Sequence, residues 1–196
     1  MSLAALFALG LSASSAALAP PTRRVVLANG AAALVAAGFS SLPAHAYAGE
    51  GTMSKDDVLQ IAEEKLTPFQ RAISLSAATE RSFTGKTING YSHDTKKKGT
   101  WSGAISGAPL FESTTKYESG SGWPSFYAPI PGAVIERQDP EDLRDSRRAR
   151  MMGGVRTEVI DAKSGAHLGH VFSDGPPPTG LRYCMNAGAM SFTPKR

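Results

Sequence analysis

The periodicity of the chain changes once, near residue 83, and that change constrains the fold more than any other feature. Between Thr52 and Ala77, apolar residues recur at helical spacing. Val58, Ile61 and Ala62 form one stripe, and Ser54 with Asp57 three positions on resembles a capping box with Asp in place of Glu. Thr67-Pro68 reads as a second helix start, with Phe69 and Ile73 four apart on one face. From Phe83 onward the helical period disappears and Gly and Pro become frequent. Short stretches alternate instead: Trp101/Gly103/Ile105, Val155/Thr157/Val159 and Leu181/Tyr183/Met185. The pattern predicts a small, mainly β domain of antiparallel strands, with short helices packed at its N-terminal side. Residues 137–150 mix both signs of charge and read as a solvated surface loop.

The chain has 196 residues and one cysteine, which excludes an internal disulfide framework and a cysteine-rich structural metal site. At 41% hydrophobic and 19% charged it can bury a core, so global disorder is excluded as well. The net charge is +4, and two of those charges, Arg23 and Arg24, precede the first acidic residue, Glu50. The remainder is nearly neutral, which argues against a nucleic-acid partner. The Gly-Ser-Gly run at 120–122 lacks the lysine and the strand–helix context of a phosphate-binding loop.

Residues 1–48 read as an address, separate from a functional domain at 49–196. An uncharged apolar run ends at Pro20-Pro21. The pair Arg23-Arg24 follows, and then a second Ala-rich run closing on Ala44-His45-Ala46 and Ala46-Tyr47-Ala48, both of the small-x-small cleavage type. Two export-like signals in tandem resemble the bipartite leader of thylakoid-lumen proteins and imply a plastid location. One signal with an uncleaved anchor, leading to another exported or membrane-anchored compartment, is the alternative.

Three short segments concentrate the chemistry. In Ser119-Gly-Ser-Gly-Trp-Pro-Ser125 the glycines permit a sharp turn, and Pro124 restricts Trp123, so the indole can serve as a rigid apolar wall or simply fill the core. In His167-Leu-Gly-His170 the odd separation puts the two rings on opposite faces of a regular strand, unless Gly169 introduces a bulge. Two histidines without a cysteine pair make a poor zinc site, and a pair of structural histidines is the plainer reading. In Arg182-Tyr-Cys-Met-Asn186, alternation puts Arg182, Cys184 and Asn186 on one face. Arg182 would then stabilise a Cys184 thiolate and lower its pKa from the free value of about 8.5, while Asn186 could orient a reacting oxygen. The lone cysteine is thus a candidate nucleophile, its polar neighbours setting it apart from an inert buried thiol.

Together these segments resemble the methionine-R-sulfoxide reductase B family from about Leu66 to Pro194. The resemblance is carried by Thr79-Glu80-Arg81, Ser119-Gly-Ser-Gly-Trp-Pro-Ser-Phe126, Arg156-Thr-Glu-Val159, His167-Leu-Gly-His-Val-Phe172, Asp174-Gly-Pro176 and Gly180-Leu-Arg-Tyr-Cys184. It implies a mainly β fold of two small antiparallel sheets with N-terminal helices. It implies reduction of the R epimer of methionine sulfoxide, free or in oxidised proteins and peptides. Cys184 would attack the sulfoxide sulfur, Trp123 would hold the methyl group, and His167, His170 and Asn186 would polarise and protonate the oxygen. Arg182 and Asp174 would support substrate binding. A sulfenic acid would remain on Cys184.

Two departures shape the expectation. Positions where many family members carry two zinc-binding cysteine pairs hold Gly103, Ser106, Asp161 and Ser164, so no zinc is expected. The position of a resolving cysteine holds Ser121, and no other thiol exists. With no tightly bound cofactor, the enzyme would depend on an external thiol, either glutathione with glutaredoxin or thioredoxin, and would act as a monomer. Two other readings keep the same residues: a silent module that captures oxidised methionine, and a hydrolase in which His170 activates Cys184.

Overall fold

The computed structural model describes residues 50–196, so the leader expected at 1–48 lies outside the described residues. Two helices open the domain, α1 at Lys55–Lys65 and α2 at Pro68–Ser76. Their starts are set as the sequence predicts. Ser54 accepts the N–H of Asp57, and Thr67 with Gln70 forms a complete capping box ahead of Pro68. Val58 and Ala62 are buried and Ile61 half-buried, as the stripe requires, and Ile73 enters the main core. Phe69, expected beside Ile73, is instead 56% exposed, because it sits in the first turn of α2, before the helix packs down.

Among the described residues nine antiparallel strands follow: β1 Gly99–Gly103, β2 Pro109–Glu112, β3 Lys116–Tyr117, β4 Ser125–Phe126, β5 Val134–Gln138, β6 Thr157–Asp161, β7 His167–Phe172, β8 Arg182–Met185 and β9 Met190–Pro194. They form a three-stranded sheet, β2-β1-β9, and a six-stranded sheet, β3-β4-β8-β7-β6-β5. The expected pair of antiparallel sheets with helices at the N-terminal side is what the chain adopts. Trp101, Phe111, Phe126 and Phe192 fill the main core, where Phe111 stacks on Phe126 at 4.4 Å between ring centroids.

The charged stretch at 137–150 is not the solvated loop its composition suggested. It completes β5, then makes two short helices, α3 Pro140–Arg144 and α4 Ser146–Met151, capped by Asp139 and Asp145. Asp139 and Asp142 are buried, because each carboxylate has cationic partners elsewhere in the fold. Val155, expected on a strand, lies just before β6 and is exposed.

The third alternating stretch holds closely. Along β8 Tyr183 and Met185 are buried, while Arg182 and Cys184 face the other way and stay half-buried. Beside it, β7 slips register against β6: Val159 opposes Gly169 and Ile160 opposes His167, so Leu168 is skipped. This bulge brings the two imidazoles to 5.4 Å between centroids. Gly169 allows β7 and β8 to approach closely, since a Cβ there would lie 2.2 Å from the Cys184 carbonyl oxygen. A Gly169→Ala substitution is therefore expected to cost about 1–3 kcal/mol by overpacking, read as a lower urea midpoint.

Candidate active site

The strand register assembles the site. On β8, Cys184 pairs with Ser125 of β4 on one side and with His170 of β7 on the other, and His170 pairs in turn with Glu158 of β6. Directly opposed residues share a face, so a nucleophile, a hydroxyl, an imidazole and a carboxylate form one row across four strands.

Each histidine is held by its own carboxylate. His167 Nδ1 lies 2.6 Å from Glu158, whose other oxygen accepts a hydrogen bond from Arg137 Nε at 2.8 Å. His170 Nε2 lies 2.7 Å from Asp139, which also accepts from Arg156 at 3.1 Å. Burial pushes both carboxyls up, but the histidine and its companion donors outweigh it. Glu158 is held below the ordinary range, and Asp139 well below it. Burial lowers the pKa of His170 despite the carboxylate beside it, so its ring is neutral in the free protein at pH 7. Nε2 of His167 is buried without a partner among the described residues.

A cavity of about 130 Å³ opens on Cys184, lined by Trp123, Arg156, His170, Phe172 and Asn186 among others. That volume equals roughly four waters, enough for a methyl–sulfur–oxygen group and too small for a drug-sized ligand. The wall is rigid: Trp123 Nε1 donates to the Glu80 carbonyl at 3.0 Å, and Gly122, at φ +86°, receives the Phe83 N–H on its own carbonyl. Asn186 accepts the Glu80 N–H through Oδ1 and donates through Nδ2 to the Leu168 carbonyl, leaving one Nδ2 hydrogen. The buried Glu80 carboxylate accepts the N–H groups of Ala187 and Gly188 and so fixes the turn after Asn186. A wider trench of about 590 Å³ shares Arg156 and Phe172 with this cavity but does not reach the thiol, so the chemistry belongs to the smaller space.

Of the residues singled out in the sequence, Cys184, Trp123, His170 and Asn186 line this cavity. His167 is not among its lining residues and contacts the His170 ring. Arg182 and Asp174 do not line it either. They form a two-bonded ion pair at 2.8 Å, with Arg182 stacked 4.4 Å from the Phe172 ring. Asp139, Glu158 and Arg156 also belong to this arrangement, although the sequence patterns do not single them out. Glu158 carries a signal, a carboxylate next to the apolar pair Val159-Ile160 within a strand, whereas Asp139 reads only as the helix cap before Pro140.

The thiol departs from expectation. Arg182, Ser121 and Ser125 all favour the thiolate, with Ser121 Oγ 3.9 Å from Sγ, but burial is the largest influence and pushes the Cys184 pKa up rather than down. Alkylation of Cys184 by iodoacetamide should therefore have its pH midpoint above that of free cysteine. Arg182→Leu should move it higher still, since a stabilising cation is lost; an unchanged midpoint would remove Arg182 from the thiol's environment. No histidine hydrogen-bonds Cys184 among the described residues, so the pairing a Cys–His hydrolase needs is not formed.

The positions aligned with zinc ligands do converge. A Cβ on Gly103 would lie 2.4 Å from Asp161 Oδ2 and 2.5 Å from Ser106 Oγ, and Ser164 Oγ donates to Asp161 at 2.8 Å. One carboxylate and two hydroxyls are not a structural zinc set, and the Asp161 side chain occupies the space that the missing side chain at 103 leaves, so these residues do not fit the metal.

A cavity lined by a cysteine, an imidazole and an indole on the six-stranded sheet defines a thiol-dependent oxidoreductase. Residues 66–194 match the SelR domain family, and the chain belongs to it, which is the methionine-R-sulfoxide reductase B family of the resemblance. Among its relatives is the peptide methionine sulfoxide reductase MsrB of Pseudomonas savastanoi, 46% identical over 68% of this chain and 92% of that protein. The MsrB of Leptospira interrogans is 47% identical over 66% and 88%, and that of Bradyrhizobium diazoefficiens 46% over 74% and 96%.

Proposed function

We infer that this chain is a peptide-methionine (R)-S-oxide reductase with one redox-active cysteine. What carries the reading is the small cavity that puts a half-buried Cys184 against the fixed Trp123 indole and the His170 ring. The sulfoxide methyl group packs on Trp123. The oxygen meets His170, the free hydrogen of Asn186 and, through water, the unpartnered Nε2 of His167. The Cys184 thiolate attacks the sulfoxide sulfur and the oxygen passes to Sγ. The cysteine is oxidised by two electrons, the sulfoxide is reduced to the thioether, and a proton is taken up. Arg182, itself locked to Asp174, stabilises the thiolate from outside this cavity.

The chain functions without zinc, the Asp161 carboxylate tying its own turn by hydrogen bonds to Lys163 and Ser164. Ser121 cannot resolve the sulfenic acid, so an external thiol, glutathione with glutaredoxin or thioredoxin, restores Cys184 in a monomeric enzyme. Residues 1–48 carry the chain into a plastid, to the thylakoid lumen; a tagged full-length chain found in the cytosol would overturn that location. The activity is tested with peptides carrying either epimer of methionine sulfoxide and excess thiol. Turnover of the R form alone supports the reading, and equal turnover of both or of neither contradicts it.

A further inference from the structure

A second cavity approaches Cys184 from a different direction. It is an open groove of about 520 Å³ whose walls include Glu118, Gly120, Ser121, Asp174, Pro176 and Arg182, and it shares no lining residue with the substrate cavity. Cys184 does not itself line the groove, but its wall stands next to the thiol: Ser121 Oγ lies 3.9 Å from Sγ, and the Arg182 guanidinium acts on it. The strand gives the direction. Arg182 and Cys184 share one face of β8 and Asn186 follows just past its end, with Arg182 in the groove and Asn186 in the substrate cavity, so the two openings lie toward opposite ends of this stretch.

Displacement at sulfur runs in line, with the incoming nucleophile entering opposite the bond that breaks. When the oxygen passes from substrate to Sγ, the new S–O bond points back into the substrate cavity, so a reducing thiol must come from the groove side. We propose that this groove is the entry site for the recycling thiol, and that it takes a small zwitterionic thiol of about tripeptide size. Its volume falls in the small-ligand range, and its walls offer both charge signs, hydroxyls and the open backbone at Gly120. The incoming thiolate forms a disulfide with Sγ, and the hydroxyl leaves as water with one proton taken up. A second thiolate then attacks the mixed disulfide, releasing the Cys184 thiolate and a small-molecule disulfide. Substrate and reductant thus use separate doors to one sulfur.

This inference rests on the sulfenic acid of the proposed function, and the test separates the two. Glu118→Trp and Pro176→Trp each place bulk in the groove at a residue outside the substrate cavity. Two rates are measured in each: methionine formed in a single turnover without thiol, and recovery of the Cys184 thiol when glutathione is added to the oxidised protein. The expected result is an unchanged first rate and a recovery slowed at least about fivefold in both variants. Recovery at the wild-type rate in both overturns the groove as the entry, as does a loss of both rates together in both variants. Slowed recovery with a thioredoxin-like protein dithiol but not with glutathione overturns the small-thiol assignment. A wild-type protein that forms no methionine at all refutes the proposed function instead.

Discussion

The Cys184→Ser protein is expected to make no measurable methionine from a sulfoxide peptide, a loss of about four orders of magnitude or more, as for removal of a nucleophile. The hydroxyl is nearly isosteric and β8 keeps its register with β4 and β7, so the fold should survive. Its pKa lies far above that of the thiol, however, and an oxygen cannot take up the sulfoxide oxygen. Since Cys184 is the only cysteine of the chain, no other thiol can substitute. Residual turnover within tenfold of wild type, with folding intact by circular dichroism, would mean that the reacting sulfur is not in this protein.

The second large effect belongs to a residue with no chemistry of its own. Asp139→Asn removes the charge that the His170 ring and Arg156 share, yet an asparagine oxygen can still accept the N–H groups of Glu141 and Asp142 that start α3. Arg156 keeps its bonds to Asp142. The fold therefore has a route to survive while the imidazole loses the partner that favours its protonated form. Proton delivery to the sulfoxide oxygen should fail, lowering kcat by about 10²-fold with little change in KM, on the scale of general acid catalysis. The alkaline limb of the pH–rate profile should move to lower pH, because the proton donor must be protonated and the His170 pKa falls further once the anion is gone. A kcat within twofold of wild type would assign the pair a structural role alone.

The parts of this protein readable from its sequence are those governed by local rules. Alternation along β8 puts Arg182 and Cys184 on one face, with Asn186 just past the strand's end in the same cavity as Cys184, and Gly169 marks the bulge that brings His167 and His170 together. The caps of α1 and α2 sit where Ser54 and Thr67 placed them. What was not readable depends on partners distant in the chain. Asp139 is buried because of His170, 31 residues away, and Asp142 because of Arg156, so a stretch that looks solvated by composition becomes the support of the site. The raised Cys184 pKa has the same origin: the neighbouring cation is visible in the sequence, but the burial that outweighs it is a property of the assembled sheets. Phe69 obeys its spacing in the sequence and still faces solvent, since no described element covers it at that first turn of α2.

The most direct test of the whole account is a single turnover followed by mass. Residues 49–196, reduced and freed of thiol, are mixed with a methionine-R-sulfoxide peptide, and both products are weighed. The account predicts one methionine per chain and one oxygen gained at Cys184, with no intramolecular disulfide. A peptide that stays bound while its sulfoxide and the protein mass are unchanged would contradict it, and would make this fold a module that holds oxidised methionine without reducing it.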